Sequence, residues 1–462
     1  MEVEVFEALI HEQFAKKEKL IPGNIQALHL GIEYAKKHFE CPLPVRLERR
    51  NLIGDKIMTD GNNACGLGAV YAGATVGSWY PITPSTSVMN AFEKWCHKLR
   101  VDKETGKRKF AIVQAEDELA AMGMVLGASW NGARAFTATS GPGVSLMSEF
   151  LGLSYFAEIP AVLIDVQRTG PSTGMPTRTQ QSDIFSAAYA SHGDTKHILL
   201  IPSTPTECFE MTAFSFDLAE RFQTAVIILI DLDLGMNDHL CDPFTWDPAR
   251  TYDRGKVMSA EELEAGKVFG RYLDVDGDGI PYRTIPGTHP TKGSFFTRGS
   301  SRDEFARYTE DGDVYARNMN RLLKKWETAA SEMPEPEIVR NDPANSSAVI
   351  YFGTSSYSAQ EALDLLAADE LNLNAMRLVS FPIHSKVKEF IENHEHVYIV
   401  EQNRDAQMRG LLMQELGIEG SRLKSVLQFN GMPITAAYIH RCIVSNQSFI
   451  PQYQEVSLPQ MA

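Results

Sequence analysis

From Lys56 to Ile230 the chain alternates short apolar runs with amphipathic stretches. The runs SWYPI (78–82), FAIVQ (110–114), RAFTAT (134–139), AVLIDV (161–166) and TAVIILI (224–230) are predicted strands. They are apolar throughout rather than at every second residue, as strands buried on both faces are. Between them SVMNAFEKWCHKL, DELAAMGMVLGASW and TECFEMTAFSFDLAERF have helical spacing and would supply the crossovers that parallel strands need. Residues 55–240 are therefore expected to form a doubly wound α/β domain.

The pattern changes on either side. Residues 1–40 predict one or two amphipathic helices and no strand, and 41–54, with CPLPVRLERRNL, an extended linker. From 241 to 343 the periodicity collapses into a stretch rich in Asp, Gly, Pro and Arg, with one helix, VYARNMNRLLKKWETAASEM. A smaller α/β domain is expected over 344–445: AVIYFG, SAQEALDLLAADE, NAMRLVSF, a helix from His384, HVYIVEQ and DAQMRGLLMQEL. Residues 446–462 read as a tail.

Composition narrows the function. The net charge of −15 argues against nucleic acid, which needs a basic face. No apolar run reaches the roughly 18 residues that span a bilayer, so no membrane role is expected. The N-terminus opens with acids and lacks the basic start of a signal peptide, which points to the cytoplasm. Six cysteines, at 41, 65, 96, 208, 241 and 442, include no CxxC pair, so no iron–sulfur cluster or zinc site is expected on this chain.

Two glycine motifs are weak signals. GLGAVYAG (66–73) has Tyr71 where a dinucleotide fingerprint needs glycine and no apolar strand before it; it reads as small residues that let a helix pack closely. GDG at 277–279 lacks the asparagine that follows in diphosphate-binding sites, and DVDGDG lacks the closing glutamate of an EF-hand. It reads as a tight Asp/Gly turn, with a loosely bound cation as the alternative.

Three segments carry stronger chemistry. EDELAAMGMVLGASW (116–130) starts a nearly apolar helix with three carboxylates, directly after a predicted strand. A carboxylate there stands at the carboxyl edge of a parallel sheet, where α/β folds bind ligands, and is partly desolvated. TSGPG (139–143) joins strand to helix and reads as a ligand loop. VQRTGPSTGMPTRTQQSD (166–183) offers Arg168 and Arg178 with several hydroxyls, suited to an anionic substrate.

In the order GNNACGLGAVYAGATVGSWYPITPST, QAEDELAAMG, TATSGPGVSLMSE and RTGPSTGMPTRTQQSD, the chain resembles the alpha subunit of the 2-oxoacid:ferredoxin oxidoreductases. YPITPST at 80–86 is the most specific piece. The likeness covers about 55–240 strongly. The 344–445 unit resembles, more weakly, the transketolase C-terminal-like domain of the same subunits. The fourth motif and DVDGDGIPYRTIPGTH look most like the 2-oxoglutarate branch. Residues 1–40 resemble the last helices of a gamma domain, which is then either a separate chain or lost from this one.

The resemblance implies a thiamine-diphosphate pyrimidine-binding domain over 55–240. It also implies oxidative decarboxylation of 2-oxoglutarate to succinyl-CoA and CO₂ with ferredoxin as acceptor. Pyruvate, a branched 2-oxoacid or a non-catalytic scaffold role stand as alternatives. Glu118 would bond N1′ of the aminopyrimidine, with Pro81, Thr139, Ser140 and Gly141 around the cofactor. Thr83, Arg168, Thr177 and Arg178 would hold substrate, and Glu118, Thr83 and Arg168 would be the catalytic set. Mg²⁺, the diphosphate grip and an Fe₄S₄ cluster would belong to a beta subunit, with coenzyme A as co-substrate.

Overall fold

The computed structural model describes residues 2–40, 45, 48–50 and 52–450. Much of the 41–54 linker and, in the 446–462 tail, residues 451–462 lie outside the described residues. The chain divides into two compact units, Met1–Lys56 and Ile57–Ala462.

The first unit is helical. Helices α1 (Val3–Gln13) and α2 (Ile21–His38) are joined by a 3₁₀ turn, and Pro22 occupies the first turn of α2, where its missing N–H costs nothing. His29 of α2 bonds Glu7 of α1 at 2.7 Å. Ile21 is the one buried hydrophobic side chain among its described residues.

The second unit begins β1 (Ile57–Thr59), α3 (Gly61–Tyr71), β2 (Val76–Trp79), α4 (Thr86–Leu99), β3 (Ala111–Gln114), α5 (Glu118–Trp130), β4 (Ala135–Thr139), α6 (Gly141–Ala157) and β5 (Ala161–Gln167). It continues α7 (Ile184–Ala188), β6 (Ile198–Leu200), α8 (Pro205–Phe222), β7 (Ala225–Asp231), α9 (Leu232–Met236) and β8 (His239–Cys241). After α10 (Ala260–Glu264) and α11 (Gly312–Glu332) come β9 (Glu337–Arg340), β10 (Ser347–Phe352), α12 (Ser355–Ala368), β11 (Asn374–Leu378), β12 (Ser380–Phe381), α13 (Ser385–Glu392), β13 (His396–Glu401), α14 (Gln407–Leu416), β14 (Leu423–Leu427) and α15 (Ala436–Ser445).

A seven-stranded sheet has the order β12-β6-β7-β5-β4-β2-β3, and a five-stranded sheet the order β14-β13-β10-β11-β9. Every pairing in the larger sheet is parallel except β12 with β6. Strands β5 and β7 are buried along their whole length, the environment their apolar sequences require. The fold is mixed α/β with parallel sheets, as the alternation predicts.

Glycines in α3 do packing work. A Cβ on Gly66 would stand 2.7 Å from Ala91 Cβ of α4, and one on Gly68 2.5 Å from the Phe209 carbonyl of α8. Only hydrogen allows α3 this close to both neighbours.

The segment NAMRLVSF, one strand by pattern, is divided between the sheets. Asn374–Leu378 runs parallel to β10, whereas Ser380 and Phe381 pair antiparallel with Leu200 and Leu199 of β6. One apolar cluster accordingly contains Leu163 and Ile227 of the large sheet together with Ile350, Phe352 and Met376 of the small one.

Ion pairs hold the irregular 241–343 stretch. Glu158, fully buried at the end of α6, accepts from Arg321 at 2.6 and 3.0 Å and from Lys325 at 2.7 Å, both on α11. Arg134 bonds Asp217 and Glu220 of α8 and the Asp253 carbonyl. In DVDGDG the Asp274 carboxylate accepts from the Gly277 and Gly279 amides, and both glycines have positive φ. Lys256 Nζ lies on Asp276 at 2.6 Å, Asp278 at 2.8 Å and the Ile280 carbonyl at 3.1 Å. The turn's carboxylates thus hold a lysine ammonium. No helix among the described residues is long and apolar enough to cross a membrane.

Candidate active site at the carboxyl edge of the large sheet

Strand β3 ends at Gln114 and the chain turns into α5. Asp117 caps that helix, its carboxylate accepting from the Ala120 amide at 2.6 Å, a use of an acid at a helix start that needs no catalysis. Glu116 and Asp117 are exposed, whereas Glu118, the first helical residue, is only 6% exposed. Glu118 presses on the first turn of α6: a Cβ on Gly143 would stand 2.9 Å from Glu118 Cγ and 1.9 Å from Thr139 Oγ1. Thr139 and Ser140 are fully buried, and Ser140 Oγ has no hydrogen-bond partner. One carboxylate of three is thus selected, held in a cradle that only glycine leaves open.

The second cluster lies at the end of β5. Arg168, 8% exposed, donates from Nη1 to the Thr83 carbonyl at 2.7 Å, while its Nε is unpartnered. Asn62 of α3 donates to the Pro84 carbonyl and to Ser87 Oγ, fixing the YPITPST loop, in which Pro81 and Thr83 are exposed. A cavity of about 570 Å³ is walled by Gly141, Pro142, Arg168, Gln180, Asp183 and Asn403, among others. Thr177 and Arg178 do not line it. Both are exposed on the far arm of the loop, where Arg178 Nη1 reaches Met432 Sδ at 3.2 Å.

Several polar residues here escaped the sequence reading. Asp231, at the end of β7, caps α9 and accepts from Gln181 and Thr354. Gln402 donates to Thr354, and Asn403 to the Gln181 carbonyl. These bonds join the carboxyl ends of the two sheets. Asp165, inside β5, is fully buried, and it interacts with Asp183, a half-buried residue whose Oδ2 is buried. Burial pushes Asp165 well above the usual carboxylate range, with Asp183 adding to the effect. It also pushes Asp183 up to about 7 against the pull of Arg168, and Asp231 up to about 6. The visible signals were a carboxylate inside an apolar run, AVLIDV, and one at the end of another, TAVIILID.

Residues 67–238, which include Glu118, Thr139 and Arg168, match the family model for pyruvate flavodoxin/ferredoxin oxidoreductase, thiamine diphosphate-binding. The 2-oxoacid:ferredoxin oxidoreductase 2 subunit alpha of Aeropyrum pernix is 33% identical over 446 residues, covering 94% of this chain and 67% of that protein. The chain belongs to the 2-oxoacid:ferredoxin oxidoreductase alpha-subunit family. Members of this family are subunits of thiamine-diphosphate-dependent enzyme complexes. The 2-oxoglutarate synthase subunit KorA of Methanothermobacter marburgensis is 43% identical over 181 residues, 39% of this chain and 46% of that one. A solved structure of 2-oxoglutarate:ferredoxin oxidoreductase from Magnetococcus marinus, with 2-oxoglutarate, coenzyme A and succinyl-CoA bound, superposes with a TM-score of 0.82 at 28% identity. The superposition covers 95% of this chain and 73% of that one. The chain spans 62% to 67% of the length of the first archaeal 2-oxoacid relatives it matches.

Proposed function

We propose that this chain supplies the aminopyrimidine side of a thiamine-diphosphate site shared with a beta subunit. The complex oxidises 2-oxoglutarate to succinyl-CoA and CO₂ and passes electrons to ferredoxin. In this reading Mg²⁺ and an Fe₄S₄ cluster reside in the beta subunit, and coenzyme A accepts the acyl group. The observation that carries the proposal is Glu118: a solitary buried carboxylate at a helix start, against the Thr139–Gly143 cradle, at the edge where parallel sheets bind ligands.

Bound thiamine diphosphate supplies the nucleophilic carbon and the electron sink for decarboxylation. The chain's own residues bind, orient and handle protons. Glu118 shares a proton with the ring nitrogen N1′, and its burial makes that hydrogen bond count for more than it would in water. Thr139, Ser140 and Gly141 form the floor beside it; the unpartnered Ser140 hydroxyl is available to a ligand. Pro81 and Thr83 present the loop toward the substrate carbonyl. Arg168, anchored through one nitrogen to Thr83 O and free at Nε, receives the substrate's carboxylate. Thr177 joins Arg168 on that carboxylate and Arg178 serves the distal one in this reading, which requires the loop's exposed arm to swing in toward the cavity. The choice of 2-oxoglutarate is supported by the KorA relative and by the superposed structure that contains 2-oxoglutarate.

The test is viologen reduction by this chain co-purified anaerobically with a beta chain, with thiamine diphosphate, Mg²⁺ and coenzyme A present. Turnover that needs both chains and prefers 2-oxoglutarate over pyruvate is expected. Preference for pyruvate would discard the substrate, and no turnover with any 2-oxoacid in a loaded complex would discard the reading.

A further inference from the structure

Beneath the first turn of α6 lie two carboxylates that the reaction does not call for. Asp165 faces the sheet's interior from β5, opposite Thr139 of β4 in register, fully buried, and neither of its oxygens has a hydrogen-bond partner. Asp183 comes from the loop after Arg168, its amide bonded to Gln167 Oε1 at 3.0 Å. Its two oxygens lie 2.6 Å from where a Cβ on Gly141 would be, and Oδ2 is unpartnered. Ser140, between Thr139 and Gly141 in sequence, is fully buried and its Oγ is likewise unpartnered. Asp183 also forms part of the cavity wall together with Arg168.

Asp165 and Asp183 interact, and two such acids do not readily both ionise, because each charge would be desolvated and repelled by the other, even with Arg168 pulling on Asp183. We propose that Asp183, backed by Asp165, sets how much of the Arg168 charge this cavity presents to an anionic substrate. With both acids protonated, Arg168 faces the substrate carboxylate with its charge uncompensated. When Asp183 releases its proton, the new carboxylate offsets Arg168 and weakens anion binding. The inference rests on the reading above that Arg168 holds a substrate carboxylate. Burial places the release from Asp183 at about 7 and raises Asp165 well above the usual carboxylate range, with Asp183 adding to the effect.

The other charges nearby, Glu118 apart, are already engaged. Arg404 and Asp405 on the cavity rim are exposed and paired with each other at 2.7 Å. Glu401 of β13 is buried on the Met408 and Arg409 amides. Asp231 of β7 stands opposite Gln167 in register and is bonded to Thr354 and Gln181. Glu118 faces the same helix turn at Gly143, on the Thr139 side.

In the assembled complex, KM for the 2-oxoacid should rise at least tenfold between pH 6 and 8 while kcat changes less, since one unit charge within about 12 Å at an effective dielectric of about 20 has that effect. Asp183→Asn, neutral at every pH, should hold KM low and flat across that range. Equal pH dependence of KM in the variant and the parent would overturn the inference. An infrared titration of the full chain should show a loss of protonated carboxyl signal between pH 6 and 8 that exceeds the loss in Asp183→Asn, where Asp231, at about 6, still contributes. A spectrum without such a change would overturn it even if the variant failed to assemble. Arg168→Lys separates the two levels of the argument. Unchanged KM there would remove the role of Arg168 itself, whereas a raised KM with no pH dependence in the parent would remove only the role of Asp183.

Discussion

Adding one methyl group at Gly143 should disable the site without removing any group that bonds a ligand. The new Cβ would lie 1.9 Å from Thr139 Oγ1 and 2.9 Å from Glu118 Cγ, and real Cβ atoms do not approach other atoms within 3.0 Å. The Thr139 hydroxyl must therefore retreat by about 1 Å. It sits on a fully buried strand end, and a β-branched side chain has few rotamers to offer. The alternative is for α6 and the Glu118 carboxylate to move apart. Overpacking of this kind costs about 1–3 kcal/mol of stability, and misplacing a catalytic carboxylate by about 1 Å costs on the order of 100-fold in rate. Gly127→Ala is the matched control: Gly127 lies inside α5 with nothing within 4 Å of its would-be Cβ. Alanine there should stabilise the helix by up to about 1 kcal/mol. Thermal melting of the full chain and viologen reduction by the complex read both effects. Gly143→Ala with parental Tm and turnover would refute the cradle, because the contact would then be loose enough to admit a methyl group.

Glu158→Gln should cost about 3–5 kcal/mol, since it leaves the Arg321 and Lys325 cations buried without their carboxylate; urea unfolding measures it. Burial alone would raise the Glu158 carboxyl, but Arg321 and Lys325 hold it below the ordinary value of 4.5. The pair's stabilisation is therefore complete above that pH and is lost as pH falls through the lower folded value. The acid-limb difference between parent and Glu158→Gln should shrink accordingly, and a gap that persists unchanged to low pH would contradict this. Lys256→Ala should lower Tm and make it respond to millimolar Ca²⁺, because Asp276 and Asp278 lose the ammonium between them. A variant Tm indifferent to Ca²⁺ would show that the turn has no use for a cation.

The alternation of apolar runs exposed the large sheet because its central strands β4, β5 and β7 are buried on both faces, and β5 and β7 are apolar almost without interruption. The edge strand β3, from the run FAIVQ, is largely exposed despite its apolar sequence. The run SWYPI begins two residues after the start of the strand, which is Val76–Trp79, and the apolar Tyr80 and Pro81 belong to the loop that follows, where their hydrophobicity imitates a strand end. Strand β6 (Ile198–Leu200) and strand β14 (Leu423–Leu427) were missed, the first for its length and the second because it is only half-buried. NAMRLVSF could not reveal its division between two sheets, since both halves are buried and pairing direction leaves no trace in hydropathy. The 241–343 stretch shows little periodicity outside α11 because buried ion pairs and scattered apolar side chains such as Met258, Tyr272 and Ile280, not a regular stripe, attach it.

At the site, Glu118, Thr139 and Arg168 were legible as polar residues at the ends of apolar elements. Asp165 and Asp183 were not, because their significance lies in a proximity across 18 positions of sequence that only the turn of β5 into the following loop creates.

The central claim is that Glu118 is the proton partner of the aminopyrimidine ring, and deuterium exchange at the thiazolium C2 of bound thiamine diphosphate tests it most directly. The assembled complex is placed in D₂O, quenched in acid, and the C2 proton is followed by NMR, without substrate or electron acceptor. The account predicts that the parent exchanges this proton far faster than the free cofactor does. Glu118→Gln should still bind the cofactor but exchange it at nearly the free rate. Fast exchange in Glu118→Gln, with the cofactor shown to be bound, would contradict the account.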